Sequence, residues 1–230
     1  MTALVVLPGL DGTATLHSEF VASATPAFDF VTVISYPPDK ALGYPALEAL
    51  VRTSLPQTVP FVLLGESFSG PVALSVAADP PPNLVGLVLS TTFSRSPISL
   101  PSSLAALTRI APVRALPLPL LSWLLFGRWA TPQLEASLQS ALLAVSPTVL
   151  QFRAATAMRA NASASLGAIT MPALYLRATH DRLLSAAAGR RITSSIPHCS
   201  ITDIAGPHLL LQAAPEECAQ AVGDFAKHLG

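Results

Sequence analysis

The sequence predicts an α/β fold: a mostly parallel sheet of about six strands with helices on both faces, carrying a small helical insertion. Three observations predict it. Short runs of apolar, β-branched residues recur along the chain, and they are apolar nearly throughout instead of alternating, as strands covered on both faces should be. Segments long enough for crossover helices lie between most of them. The rhythm breaks once, where about 80 residues separate two successive strands, far more than an ordinary connection needs.

Taken in order, "ALVVL" (3–7) opens the sheet and Leu16–Ala24 is the first helix. "FVTVIS" (30–35) precedes a helix over Pro45–Ser54, and "FVLLG" (61–65) precedes one over Phe68–Ala78. "LVGLVLS" (84–90) is the strand before the long interval; "ALYLR" (173–177), a helix over Ala186–Ser195 and "SITDI" (200–204) come after it. Within the interval prolines cluster at 97, 101, 112, 117, 119 and 132, and Leu and Ala dominate. "TPQLEASLQSALLA" and "SPTVLQFRAATAMRA" each predict a helix, with Thr131 and Ser146 as N-caps and Pro132 and Pro147 at the first helical position. The expected division is a core of residues 1–95 and 167–230 with an inserted helical cap of residues 96–166.

A chain of 230 residues suffices for one such domain. Charged residues make up only 11% and the formal net charge is zero, with no basic block, so nucleic acid is not an expected partner. The mean hydropathy of +0.54 predicts some exposed apolar surface. A membrane span is not expected: the greasiest stretch, "ALPLPLLSWLLFGRWA" (115–130), holds two prolines between Arg114 and Arg128, short of the run of about 18 apolar residues a span requires. "ALVVLPG" is too short for a signal-peptide core and no basic segment precedes it, which points to the cytoplasm. Cys199 and Cys218 lack C-x-x-C spacing and are expected as buried free thiols, forming neither a disulfide nor a metal site. The glycosylation sequon at Asn161 is expected to be idle.

The chemistry centres on "FVLLGESFSGPVAL" (61–74), a strand, a tight turn of small residues and a helix. Such a turn can hold a nucleophilic serine, Ser67, clear of the sheet, provided its neighbours let strand and helix approach closely. Gly65 lies two residues before it, Ser69 and Gly70 follow, and Pro71 falls in the first helical turn. The plain alternative is an ordinary strand-to-helix turn with Ser67 as a cap. A serine also needs a base and an acid to orient that base. Of five histidines, His17, His180, His198 and His228 are poorly placed. His208, in "IAGPHLLLQAAPEE", follows the last strand and opens an apolar helix. The only carboxylates between Asp79 and His208 are Glu135, Asp181 and Asp203. Glu135 suits a helix N-terminus, and Asp203 falls in the last strand. Asp181, in the loop after "ALYLR", is left as the acid; its alternative role is a salt bridge to Arg182. The oxyanion donors are expected to be the backbone N–H groups of Phe68 and, from "LPGLDGT" (7–13), Leu10, with Gly9 and Gly12 shaping that loop. Asp11 must direct its charge away.

With "LPGLDGT", "GESFSG", "ATHDRLL" and "GPHLLLQAAPEE" in this order, the chain resembles the α/β-hydrolase superfamily over all but the inserted segment. Two departures stand out: Ser69 replaces the second glycine of G-x-S-x-G, and Pro8 stands where many members carry histidine. The resemblance implies hydrolysis or transfer of an acyl group through Ser67, His208 and Asp181, with no metal or organic cofactor. A small-molecule ester is the expected substrate, cleaved as by a carboxylesterase. Acyl transfer and thioester cleavage use the same residues, and a non-catalytic binding protein is the third possibility. Leu120, Leu121, Trp123, Leu124, Leu125 and Phe126 supply either an apolar lining above Ser67 or the inserted segment's own core. Arg109, Arg114 and Arg128 could meet a negative group or lie on the surface.

Overall fold

A computed structural model describes residues 2–96 and 117–229. Six parallel strands form one sheet: β1 (Ala3–Leu7), β2 (Val31–Val33), β3 (Phe61–Glu66), β4 (Leu84–Ser90), β5 (Ala173–Ala178) and β6 (Cys199–Ile204), in the order β2-β1-β3-β4-β5-β6. The register runs straight across the middle, Val5 beside Leu63, Leu63 beside Leu87, Leu87 beside Ala173 and Ala173 beside Cys199.

Successive strand residues face opposite layers, so the sheet builds two cores. Ala3, Val5 and Leu7 of β1 and Phe61 and Leu63 of β3 meet α2 (Tyr44–Ser54), α3 (Gly70–Ala78) and α7 (Ala186–Thr193) on one side. Leu4, Val6, Val62 and Leu64 meet α1 (Ser18–Ala24), α8 (Leu210–Ala213) and α9 (Pro215–Lys227) on the other. Every residue of β1 and β3 is buried, which explains why both run without a charged residue up to Glu66 at the end of β3. Each such Leu, Val or Phe contributes about 1.5–3 kcal/mol of hydrophobic stabilisation.

The outer strands depart from the uniform apolar pattern. β2 is confined to Val31–Val33, shorter than "FVTVIS", and all three residues are half-buried. In β6 only Ile204 is buried, and Ile201 is 43% exposed. Both strands sit at sheet edges, where helices cover less of the surface.

The connection between β4 and β5 contains, among the described residues, α4 (Leu118–Leu125), α5 (Pro132–Leu143) and α6 (Pro147–Ala157). Thr131 caps α5, its Oγ1 accepting from the N–H of Leu134 at 3.2 Å. Ser146 occupies the cap position of α6 but makes no side-chain cap bond; its Oγ pairs with Thr148 Oγ1 at 2.8 Å instead. Glu135 in the first turn of α5 accepts from Ser122 Oγ at 2.5 Å. Pro97, Pro101, Pro112, Arg109 and Arg114 lie outside the described residues. Among those described, no helix is long and apolar enough to cross a membrane. Cys218 is buried as expected, whereas Cys199, on edge strand β6, is only half-buried; burial lifts its thiol pKa to about 11.

Candidate active site

Because all strands are parallel, the loops leaving β1, β3, β5 and β6 emerge at one edge, where ligands of open α/β sheets bind. These loops carry residues 8–13, Ser67, Asp181 and His208.

At the end of β3 the chain turns through Ser67, whose φ of 46° lies in the left-handed region. A serine pays about 1–3 kcal/mol of strain for that backbone and holds it only where its surroundings insist. They do so here. Gly65 lies so close to α3 that a Cβ on it would come within 2.6 Å of the Ala73 Cβ, and Thr92 Oγ1, beyond β4, donates to the carbonyl of Ser67. Phe68, next in the chain, has its N–H in the first turn of the short 3-10 helix Ser67–Ser69, where backbone donors lack intrahelical partners.

Ser67 Oγ lies 2.8 Å from His208 Nε2. His208 Nδ1 lies 2.9 Å from Asp181 Oδ2. A carboxylate can only accept, so Nδ1 carries the proton and Nε2 is left to accept from the serine hydroxyl. The other oxygen, Asp181 Oδ1, accepts from the N–H groups of Leu183 and Leu184, each at 2.8 Å. Arg182 does not pair with Asp181. It donates to the carbonyl of Trp123 at 2.9 Å and stacks on the Trp123 ring, 4.8 Å from its centroid. Asp203 is likewise turned away, forked to Arg177 at 2.5 and 2.6 Å. The loop of the histidine is held by the N–H of Leu209, which donates to Leu125 of α4 at 3.1 Å.

Ser69, the departure from the usual glycine, is more than a tolerated small residue. Fully buried, it donates to the carbonyl of Pro8 and pairs with Tyr36 Oη at 2.7 Å. The turn at Ser67 and the loop after β1 are thereby tied together, and both departures from the family pattern, Ser69 and Pro8, meet in one hydrogen bond. In that loop the left-handed residue is Gly12, with φ 68°, and not Gly9. Among the described residues no hydrogen bond uses the N–H of Leu10. Asp11 is 6% exposed and turns its carboxylate back on its own loop, accepting from Thr13 N at 2.9 Å and Thr13 Oγ1 at 2.5 Å. Burial, only partly offset by these bonds, raises its pKa.

The sequence reading missed a buried cluster directly behind the serine. His17 Nε2 lies 2.8 Å from Glu66 Oε2, with both side chains essentially inaccessible, and Gln212 Nε2 reaches the same oxygen at 3.4 Å. Its one sequence signal is the carboxylate beside the serine in "GESFSG", flanked otherwise by apolar strand. Burial opposes protonation of His17 most strongly, yet the charges of Glu66 and Asp11 prevail and its pKa is raised. A folded-state pKa above the unfolded one gives stability that is complete below about pH 6.5, the ordinary histidine value, and is lost as pH rises through the folded value. Urea unfolding of the wild type should therefore show stability declining above about pH 6.5, with that decline missing from His17→Gln. Equal slopes in the two proteins would show that His17 does not titrate between folded and unfolded states.

The apolar residues of α4 divide. Phe126 is wholly buried and packs, with Leu125 beside it, on Leu16, Leu138 and Leu209, closing the connection onto the core. Trp123 and Leu120 are exposed by 55% and 41%. Arg128 is exposed and stacks on Trp129, 4.2 Å from the ring centroid. A cavity of about 680 Å³ lies away from Ser67 between β6 and α9, lined by Thr202, Asp203, Glu217 and Phe225 among others. Its size gives it no claim on the chemistry, since none of the four loops reaches it with a site residue. Among the described residues no group of three His, Cys, Asp or Glu side chains could hold a metal ion.

A parallel sheet in this strand order, with its polar side chains gathered beyond the ends of β1, β3, β5 and β6, is the fold of the α/β hydrolases. The profile of the family described as "Serine aminopeptidase, S33" matches residues 46–209, well over half of the chain. The chain belongs to that family of α/β hydrolases. Among solved structures it is similar to the enol-lactonase from Burkholderia xenovorans LB400, with a TM-score of 0.82 and 18% identity over 98% of this chain and 91% of that one. A thermophilic esterase from Thermogutta terrifontis gives 0.80 and 19%, over 100% of this chain and 90% of the other. MenH from S. aureus gives 0.79 and 18%, over 99% and 94%. At such identities the likeness is one of fold. Among curated proteins none matches the chain in sequence.

Proposed function

We propose that this hydrolase cleaves carboxylic esters of small to medium apolar acyl groups, with Ser67 as nucleophile, His208 as base and Asp181 as the acid that orients it. One observation carries the proposal: Ser67 Oγ, His208 and Asp181 are joined by contacts of 2.8 and 2.9 Å. The serine hydroxyl attacks the ester carbonyl carbon as His208 Nε2 takes its proton. Negative charge developing on the carbonyl oxygen is received by the N–H groups of Phe68 and Leu10. His208 then protonates the departing alcohol, and an activated water releases the acid from Ser67 by the same steps. Asp181 keeps the imidazole in the required tautomer and stabilises its protonated form.

The preference for apolar acyl groups is supported by the apolar surroundings of Leu209, next to His208 in the chain, which packs with Leu16 and Phe126. The reading is also supported by an esterase and an enol-lactonase among proteins of similar fold. Of the inserted segment 96–166, the described residues 117–166 act in this reading as a cap over the core. A cytoplasmic location belongs to it too, supported by two unpaired cysteines.

The test is hydrolysis of p-nitrophenyl esters from acetate to laurate, with acyl thioesters and added alcohols in parallel. Turnover of the esters with saturation at one chain length is expected. Faster cleavage of thioesters, or ester formation outrunning hydrolysis in the presence of alcohol, would overturn the carboxylesterase assignment.

A further inference from the structure

Arg153 is the largest side chain among those most deeply buried, with 1% exposure. It projects from α6, in the β4–β5 connection, alongside the buried Val149, Leu150 and Ala157. Packing alone would be served better by leucine or methionine at such a position, because a buried guanidinium must be desolvated. No carboxylate forms an ion pair with it among the described residues. Its donors go to backbone carbonyls instead. Nη1 donates to Asp11 at 2.6 Å and to Leu10 at 3.2 Å, and Nη2 donates to Pro37 at 2.9 Å. The guanidinium also lies over the ring of Tyr36, 5.6 Å from its centroid.

The effect on the loop after β1 is specific. Every carbonyl from Pro8 to Gly12 is occupied: Pro8 by Ser69 Oγ, Gly9 by the N–H of Gly12, Leu10 and Asp11 by Arg153, and Gly12 by the N–H of Tyr36. Leu10 sits between two peptide planes. The one before it, which carries its N–H, is fixed through the Gly9 carbonyl by the turn; the one after it is fixed by Arg153. Gly12 leaves room for this, since a Cβ there would stand 2.9 Å from Arg153 Cζ.

We propose that Arg153 is a positioning residue for the oxyanion hole. By gripping the carbonyls of Leu10 and Asp11 from α6, it holds the Leu10 N–H toward the developing oxyanion, and the site is competent only while α6 is docked on that loop. The inference rests on Ser67 as nucleophile and Leu10 as donor.

Arg153→Met and Arg153→Lys test it. The first keeps bulk and loses charge; the second keeps charge but cannot grip two carbonyls with a planar fork. For each, kcat and KM are measured on the preferred p-nitrophenyl ester, together with Tm and the affinity of a trifluoromethyl ketone of matching chain length. Addition of Ser67 to that ketone places an oxyanion in the hole. Arg153→Met should lose about ten- to a hundredfold in kcat, the scale of a small misplacement of a catalytic group, with KM within about twofold. Ketone affinity should fall in step, and Arg153→Lys should fall between the two. A lowered Tm with kcat and ketone affinity unchanged would reduce Arg153 to packing and overturn the inference. If Arg153→Met does not fold, Arg153→Lys decides by the same readouts. If wild type shows no Ser67-dependent turnover, the assignment of the site falls and this inference with it; wild-type turnover with unaffected Arg153 variants sinks the inference alone.

Discussion

Ser67→Ala should lower kcat for the preferred ester by at least about 10⁴-fold, the scale seen when a serine enzyme loses its nucleophile. What survives is the rate that binding and the oxyanion donors provide without a covalent step. The fold should survive as well. Alanine takes the same left-handed backbone at the same strain, and the bracing bond from Thr92 Oγ1 goes to the carbonyl of residue 67, not to its side chain. Among the described residues, the only side-chain bond lost is the one to His208. Steady-state kinetics beside a thermal melt measure both effects. A variant retaining a tenth of wild-type activity would remove Ser67 from the chemistry.

Asp181→Asn carries the second large effect, a fall in kcat of about 10⁴-fold, as this exchange produces where aspartate orients a catalytic histidine. Asparagine fits the space, and its carbonyl can take the place of Oδ1 in accepting from Leu183 and Leu184. Its amide then points at His208 Nδ1. A donor there forces Nδ1 to accept, moving the imidazole proton to Nε2, where it faces Ser67 and cannot receive a proton. Asp203→Asn is the matched control. It breaks the pair with Arg177, a partly exposed contact with side chains 33% and 47% accessible, and such pairs contribute little. Its kcat should equal that of wild type. Loss of activity in Asp203→Asn and not in Asp181→Asn would exchange the two assignments.

The sheet was legible because burial on both faces leaves a plain trace: β1 and β3 are buried without exception and carry no charged residue before Glu66, the last of β3. The edges were less so, since a half-covered strand such as Val31–Val33 resembles its flanks. Ser67, His208 and Asp181 could be picked out because each follows a strand, and few carboxylates compete. Arg153 could not. It lies 142 residues from Asp11 along the chain, and "TVLQFRAATA" gives no sign that its arginine turns inward. The His17–Glu66 pair was hidden similarly, for each residue alone resembles an unremarkable polar side chain at the end of an element. Contacts between distant segments, chiefly side chain to backbone, leave no periodicity to read.

The strand order also bears on how the chain is made. After β2, each new strand joins the sheet beside one that precedes it in synthesis: β3 on β1, β4 on β3, β5 on β4 and β6 on β5. A chain emerging from the ribosome can thus pair each of these strands on arrival, so that growth proceeds at one edge while β2 stays as the other. The reactive parts emerge in an unequal schedule. Ser67 and the two proposed oxyanion donors belong to the first third of the sequence, whereas Asp181 and His208 arrive in the last quarter. Under the proposed function, the strained serine has no base until then, and a partly synthesised chain would hold its nucleophile unarmed.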